Sequence, residues 1–268
     1  MMINGKQLAE ERIQALKEQV STMPQKKIGF IVFERTYATE QFVNIKMKIA
    51  EKIGIDAEIV EYDDELTTEA AEDFVYAISA QYDGIVVQLP LPPQLDTQVI
   101  LNTIPLIRDC DVLSDIALEA YAQGRIEAMP PVASAVHHIL ASINVDLAHK
   151  NIVIVGNGRL VGSVVSRYFK RQNIAHTIIT ETTPQHEYTS ALKHADIIIS
   201  GVGKPHLITP DMVKQGVILI DAGTSEQAGK VAGDIDPACY EKASYYTPVP
   251  GGVGPLAVVG VFENLMKS

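Results

Sequence analysis

The chain has few of the residue types that mark exported or nucleic-acid-binding proteins. Its 268 residues include no tryptophan, two cysteines, and 22 lysines and arginines against 33 aspartates and glutamates, for a net charge of -11. The lack of a basic surplus argues against nucleic acid as a partner, because phosphates require positive charge. Cys110 and Cys239 match no zinc or redox spacing, and we interpret them as reduced thiols.

Long apolar runs are also lacking. None approaches the roughly 18–20 residues that a transmembrane helix needs, and the N-terminus has no basic segment followed by an apolar core. We therefore expect no membrane partner and a cytoplasmic location, or an organelle matrix if a transit sequence has been removed. The sequence shows no metal-ligand cluster, so no metal is expected.

What is present is an alternation of strand and helix patterns. Buried-strand patterns at residues 27–34, 56–62 and 85–88 alternate with amphipathic helical patterns at 40–53 and 67–81. This order predicts an α/β fold with a mostly parallel sheet, repeated in a second α/β domain of the Rossmann type, with a catalytic cleft between the two.

The length suits two domains. We predict an N-terminal catalytic domain over residues 1–130, completed by a C-terminal helix at about 255–268, and a dinucleotide-binding domain over 131–254. Within the second domain we expect a helix at 209–215 before a strand at 217–221.

A glycine-rich turn follows Ile152–Val155, four β-branched residues that suit a strand buried on both faces. An amphipathic run comes next, so the turn opens onto a helix N-terminus, whose unpaired N–H groups can hold a pyrophosphate. The spacing is one residue longer than the common dinucleotide fingerprint, and a plain strand–turn–helix connection could carry the same glycines. The candidate cofactor residues here are Gly156, Asn157, Gly158, Arg159, Leu160, Val161 and Gly162.

Polar residues elsewhere fall where α/β proteins bind ligands. Phe42 and Lys46 are four residues apart on one predicted helix and share a face. Gln88 ends a predicted strand, and Asp111 lies in a later loop. The segment 248–255 is a stiff loop of prolines and glycines whose backbone can approach a ligand. Taken singly, these residues could equally be a solvated lysine, a strand-end amide and a turn carboxylate.

In this order and spacing the segments resemble the bifunctional methylenetetrahydrofolate dehydrogenase/methenyltetrahydrofolate cyclohydrolase family. Residues 87–92 read Val-Gln-Leu-Pro-Leu-Pro, as in the family, and residues 248–255 match its C-terminal signature. Residues 42–48 resemble its Tyr-Val-x-x-Lys-x-Lys, residues 108–111 its Lys-Asp-Val-Asp, and residues 233–236 its Gly-Asp-Val-Asp. The resemblance covers essentially the whole chain.

The resemblance implies roles for these residues. Lys46 would be the general acid–base of hydrolysis, which requires a pKa lowered toward neutrality. Gln88 would hold its amine, and Asp111 would accept hydrogen bonds from the pterin edge. The substrate-binding residues would be Phe42, Pro248, Pro250, Gly251 and Gly252.

The implied reaction has two steps. 5,10-Methylenetetrahydrofolate would be oxidised by NAD or NADP to the methenyl compound, which would then be hydrolysed to 10-formyltetrahydrofolate. The partners would be tetrahydrofolate derivatives and a second copy of the chain, as a homodimer.

The chain departs from the family pattern at several positions near the expected folate site. Phe42 replaces a tyrosine, so the tyrosine hydroxyl is lost, although Tyr37 could supply a hydroxyl from another direction. Val112 replaces a glycine. Residues Pro130–Ala135 and Ala257 also differ and remove polar groups. An enzyme with dehydrogenase activity alone, or one acting on a modified pterin, is therefore an alternative. A non-catalytic dinucleotide-binding sensor or scaffold is an alternative of another class.

Cofactor preference is also expected to differ. The family's turn usually reads Gly-Arg-Ser, whose arginine can help to hold a 2′-phosphate; here Asn157 and Gly158 follow the first glycine, and Arg159 comes after them. Glu181 and Thr182 lie about 20 residues beyond the turn, where an acidic residue bonds the ribose 2′-hydroxyl of NAD. We expect NAD to be favoured, although Glu181 could be a solvated loop residue.

Overall fold

The computed structural model describes residues 1–63, 65–227 and 230–268; at residues 37, 38, 226, 227 and 230 only the backbone is described. The hydroxyl proposed for Tyr37 therefore lies outside the described part. In chain order the helices and strands are α1 (Gly5–Val20), β1 (Lys27–Val32), α2 (Tyr37–Ile53), β2 (Asp56–Glu61), α3 (Thr68–Ser79), β3 (Gly84–Val87), α4 (Thr97–Asn102), α5 (Asp115–Ala122), α6 (Pro131–Ser142), β4 (Ile152–Val155), α7 (Gly162–Arg171), β5 (Thr177–Ile179), α8 (Gln185–His194), β6 (Ile197–Ser200), β7 (Ile218–Asp221), β8 (Ser225–Gln227), β9 (Lys230–Ala232), β10 (Tyr245–Tyr246) and α9 (Val253–Leu265).

Two compact units divide the chain. The first unit comprises Glu10–Pro131 and Val258–Ser268, and the second comprises Met1–Ala9 and Val132–Ala257. The first contains a parallel sheet of order β2-β1-β3, and the second a parallel sheet of order β10-β7-β6-β4-β5. The predicted α/β class with two parallel sheets is confirmed.

The first unit is held together by its central strands and the C-terminal part of α9. Strand β3 is buried along its whole length, and Phe30 of β1 meets Phe262 of α9 edge to face, with ring centroids 6.3 Å apart. Asn264 accepts a hydrogen bond from the Met129 N–H at 3.0 Å and donates to the Met129 carbonyl at 2.7 Å. The end of the chain therefore belongs to the core of this unit.

The second unit includes the first residues of the chain, which the sequence analysis placed in the first domain. The N–H of Ile3 donates to the Tyr246 carbonyl at 2.8 Å, and the N–H of Tyr246 donates to the Met1 carbonyl at 3.0 Å. These bonds extend the edge of the sheet beside β10. This strand-like pairing places residues 1–9 in the second unit. A segment this short has too few residues to show a strand pattern in the sequence.

The helix predicted at 209–215 is wrong. Residues Pro210–Met212 form a single 3-10 turn, and Val213 is already extended. The Thr209 hydroxyl donates to the Asp211 carboxylate at 2.5 Å and caps no backbone N–H, so the turn lacks the side-chain cap that favours a longer helix.

Helix α5, the antiparallel hairpin of β8 with β9, and the short strand β10 were not predicted. In the described part of the chain, no helix is both long and apolar enough to span a membrane.

Candidate active site

A buried lysine and a buried glutamine meet in the first unit. Lys46 is 8% exposed and Gln88 7% exposed, and the Lys46 Nζ donates a hydrogen bond to the Gln88 Oε1 at 2.9 Å. The Gln88 Nε2 in turn donates to the Leu89 carbonyl at 2.8 Å, which fixes the orientation of the amide. The Lys46 Nζ also lies 5.5 Å from the centre of the Phe30 ring. The amine is thus held by uncharged groups on these sides.

Local sequence accounts for both positions. Helix α2 begins at the Thr36 cap, whose side chain accepts the Thr39 N–H, and it ends at Gly54 in the left-handed conformation. Its buried stripe contains Val43, Lys46 and Ala50 at helical spacing, so the lysine occupies a core position. Gln88 directly follows β3, and its N–H donates to the Ile31 carbonyl at 2.9 Å.

Burial favours the neutral form of Lys46, and a nearby charge opposes it. Burial lowers the pKa of the Lys46 amine below its usual value, and the negative charge of Asp111 opposes this effect. Burial likewise raises the pKa of the Asp111 carboxyl, and the Lys46 ammonium opposes that rise. Lys46 is thus hydrogen-bonded to Gln88 and electrostatically coupled to Asp111, which is itself partly exposed.

Phe42 lies one turn before Lys46 on α2 and is 40% exposed. A large apolar ring with that exposure is available for contact with a flat apolar ligand.

The loop with Pro248 and Pro250 lies in the second unit, where it allows no side chain at two of its positions. A Cβ on Gly252 would lie 2.7 Å from the Pro248 carbonyl oxygen, and a Cβ on Gly5 would lie 1.8 Å from the Gly252 oxygen. Gly251 has φ +106°, which disfavours any other residue. Close approach of backbone to backbone therefore explains Gly5 and Gly252, and the positive φ explains Gly251. Pro248 is partly exposed and Pro250 exposed.

The glycine turn has the geometry of a nucleotide cradle. Gly156 has φ +88°, and its N–H donates to the Ile179 carbonyl of β5 at 2.8 Å. A Cβ on Gly162 would lie only 2.0 Å from the Gly156 oxygen, so α7 begins directly against the turn. Val161, at the N-cap of α7, makes no side-chain cap hydrogen bond. A helix start that no side chain caps, beside residues 157–160 that are all exposed, suits a phosphate group.

Glu181 and Thr182 follow β5 and are both exposed. The Thr182 hydroxyl lies 2.9 Å from that of Thr180. Lys204, which the sequence analysis did not single out, places its Nζ 3.6 Å from the Glu181 Oε2. The carboxylate proposed to select NAD is therefore accompanied by a cation.

The loop that carries Lys204 is held by a buried carboxylate that the sequence analysis also missed as a site residue. Asp234 is fully buried and accepts hydrogen bonds from the Ser200 hydroxyl at 2.7 Å and the N–H groups of Val202, Gly203 and Lys204 at 2.6, 2.9 and 2.9 Å. The only sequence signal for it was the Gly-Asp-Ile-Asp segment at 233–236.

A second buried carboxylate, Asp221, supports the segment with Asp234. It accepts the N–H groups of Gly223, Asp234 and Ile235 at 3.0, 3.2 and 2.9 Å. Burial raises the pKa of Asp221 to about 7. Within the described residues, no group of three or more histidine, cysteine or acidic side chains is arranged to hold a metal ion.

Comparisons with known proteins agree on one family. Residues 3–111 match the model of the tetrahydrofolate dehydrogenase/cyclohydrolase catalytic domain, and residues 130–268 match that of the NAD(P)-binding domain of tetrahydrofolate dehydrogenase/cyclohydrolase. The chain is 36% identical to the bifunctional protein FolD of Staphylococcus aureus (strain JH9), over 99% of the chain and 95% of that protein.

Solved structures give the same result. The crystal structure of the bifunctional enzyme FolD from Campylobacter jejuni matches with a TM-score of 0.92 and 28% identity, over 100% of this chain and 97% of that one. The Trypanosoma brucei methylenetetrahydrofolate dehydrogenase-cyclohydrolase, in complex with NADP and an inhibitor, also gives a TM-score of 0.92 at 28% identity, over 100% and 96% of the two chains.

Proposed function

The chain belongs to the tetrahydrofolate dehydrogenase/cyclohydrolase family, and we propose that it catalyses both reactions of that name on 5,10-methylenetetrahydrofolate. Oxidation with a nicotinamide dinucleotide yields the methenyl compound, and hydrolysis of that compound yields 10-formyltetrahydrofolate. The observation that carries the proposal is the buried hydrogen bond between Lys46 and Gln88. A non-catalytic dinucleotide-binding protein would gain nothing from the cost of burying an amine.

Lys46 is the proposed general acid–base of the hydrolytic step. Because its pKa is lowered, a larger fraction of the amine is neutral near physiological pH, and neutral Nζ can take a proton from the attacking water. The same group, once protonated, can return the proton to the nitrogen that leaves when the ring opens. Gln88 holds the amine through a neutral acceptor, which favours the charged form less than a carboxylate would.

The remaining folate contacts follow the family pattern. Asp111 is proposed to accept hydrogen bonds from the pterin edge, and Phe42 to stack on the flat body of the substrate. Pro248, Pro250, Gly251 and Gly252 are proposed to contact the aminobenzoyl group. The stiffness of this loop supports the last assignment, because its prolines have a fixed φ and Gly252 is crowded by the Thr247 side chain and the Pro248 carbonyl.

The bound dinucleotide supplies hydride acceptance, and this chain supplies the cradle. Gly156, Asn157, Gly158, Arg159, Leu160, Val161 and Gly162 are proposed to form the cradle that places the pyrophosphate at the start of α7. The N–H groups of Gly156 and Val161 already donate to the Ile179 and Gly158 carbonyls, so these two residues are proposed to shape the turn. The crowding of Gly162 against Gly156, which brings α7 onto the turn, supports this assignment.

Glu181 supports a preference for NAD, since its carboxylate can accept the ribose 2′-hydroxyl and repels a 2′-phosphate, with Thr182 alongside. The neighbouring Lys204 acts in the opposite direction and limits that preference. Equilibrium binding of each oxidised dinucleotide, followed by calorimetry, tests the assignment. Tighter binding of NADP than of NAD would refute it.

The test of the function is spectroscopic. Methylenetetrahydrofolate is added with each oxidised dinucleotide, and the absorbance of the reduced nicotinamide and of the methenyl product is followed. We expect reduced nicotinamide to form while the methenyl compound stays low, because hydrolysis removes it. Accumulation of the methenyl compound would instead support the second candidate, an enzyme with dehydrogenase activity alone, which the missing hydroxyl at Phe42 favours.

Two further parts of the proposal come from the sequence. The chain is proposed to act as a homodimer and in the cytoplasm. Sedimentation equilibrium of the purified protein tests the first, and fractionation of cells tests the second.

A further inference from the structure

The loop at residues 109–114 contains an unusual backbone conformation next to Asp111. Val112 has φ +53°, in the left-handed region that β-branched residues rarely adopt. Its side chain is fully buried in an apolar cluster with Ala117 and Tyr121. A strained residue that directly follows a proposed site residue requires something that holds it in place.

Asp109 provides that restraint. It is 4% exposed, and its carboxylate accepts three consecutive backbone N–H groups, those of Val112 at 2.8 Å, Leu113 at 3.1 Å and Ser114 at 2.9 Å. A row of N–H groups that converges on one carboxylate stabilises the turn that presents them. The unfavourable conformation of Val112 is thus offset by charge-assisted hydrogen bonds on one side and by apolar packing on the other.

Cys110, the residue before Asp111, is also held by hydrogen bonds. The N–H of Cys110 donates to the Ile85 carbonyl at 3.2 Å, and the carbonyl of Cys110 accepts from the Asn264 Nδ2 at 2.9 Å. All residues of the loop except Asp111 are buried. Asp111 is therefore the one group that this loop leaves in contact with solvent, while its charge acts on Lys46.

We propose that Asp109 is a positioning residue that holds Val112 in the left-handed conformation and thereby keeps the Asp111 carboxylate in electrostatic range of the Lys46 amine. Asp109 touches neither substrate nor reacting atoms in this assignment. The inference rests on the proposed hydrolytic role of Lys46. It gives Val112, which replaces the family's glycine, a specific dependence on Asp109.

The experiment measures the pH dependence of methenyltetrahydrofolate hydrolysis, which needs no dinucleotide. In Asp111→Asn the charge that raises the pKa of Lys46 is lost, so the limb of the pH profile assigned to Lys46 moves to lower pH. Asp109→Asn is expected to move it in the same direction, because the loop relaxes and carries Asp111 away. The double variant should match Asp111→Asn within about twofold in rate at each pH, since both changes act through one group.

A rescue variant separates positioning from general stability. In Asp109→Asn/Val112→Gly, glycine adopts positive φ without strain, so the limb should return toward its wild-type position. Val112→Gly alone is the control and should keep the wild-type limb. If Asp109→Asn does not fold, the rescue variant takes its place, and a folded protein with the wild-type limb supports the proposal.

Two results would overturn the proposal. One is an unchanged limb in Asp109→Asn while Asp111→Asn shifts it. The other is failure of the rescue variant to fold or to restore the limb, since Asp109 would then serve more than the conformation of Val112. If Lys46→Gln hydrolyses the substrate at the wild-type rate, the proposed function fails instead, and the two failures are thereby distinguished.

Discussion

The two proposed sites differ in whether side chains or backbone groups are expected to contact the ligand. In the first unit, function is proposed to depend on side chains, an amine and an amide that occupy buried positions on α2 and after β3. In the second unit it is proposed to depend on backbone, because α7 begins close against the glycine turn and no side chain caps its first residues. Substitutions in the first site should therefore change chemistry, and substitutions in the second should change affinity and stability.

Lys46 provides the largest test of this contrast. Lys46→Gln should lower the rate of methenyltetrahydrofolate hydrolysis by a factor of about 10²–10⁴, the usual contribution of a general acid–base. Calorimetric affinity for the dinucleotide should stay unchanged, because the change lies outside the second unit. Lys52→Gln, at an exposed position on the same helix, is the matched control and should leave both quantities as in the wild type.

Gly162→Ala tests the opposite side. The added Cβ would lie 2.0 Å from the Gly156 oxygen, so the start of α7 must move. Forced overpacking of this kind costs about 1–3 kcal/mol of unfolding free energy, which urea denaturation can measure, and dinucleotide affinity should fall with it. The control is Gly254→Ala, where a Cβ meets nothing within 4 Å. Equal dinucleotide affinity in the two variants would contradict the proposal that the backbone of the glycine turn holds the dinucleotide.

Glu181 gives a smaller effect, because its carboxylate is exposed and has the Lys204 cation beside it. Glu181→Gln should improve the affinity for NADP relative to NAD by about tenfold, the scale of one charged hydrogen bond. Lys204→Gln should change the ratio in the other direction, since the cation beside the carboxylate is removed. If both variants moved the ratio the same way, the pair would not set cofactor preference.

Sequence patterns were sufficient where the physics is local. Runs such as Ile152–Val155 predicted buried parallel strands, and the amphipathic pattern at residues 40–53 predicted most of α2. Lys46 falls on the buried face of that helix, so the burial of Lys46 could have been predicted without the family resemblance.

Long-range contacts were not accessible in the same way. Nothing in the sequence near Lys204 shows that it meets Glu181, or that Asp234 holds the loop between them, because these contacts join segments 23 and 30 residues apart. The prediction of a helix at 209–215 was wrong for a related reason. Threonine is a common N-cap residue, but the Thr209 hydroxyl donates to the Asp211 carboxylate and does not cap a backbone N–H. Partner choice among several nearby polar groups is decided by the assembled fold.

The tight crossing at Gly162 also has a practical meaning for anyone who wants to redesign cofactor preference. Mutant libraries that vary Asn157, Arg159 and Leu160 alter an open rim and leave the scaffold intact. Libraries that include Gly156 or Gly162 would contain many destabilised members, because Gly156 has a positive φ and a Cβ on Gly162 would lie 2.0 Å from the Gly156 oxygen. Few positions of the turn can therefore be varied without loss of stability, and Glu181 and Lys204 are better targets for changing cofactor preference.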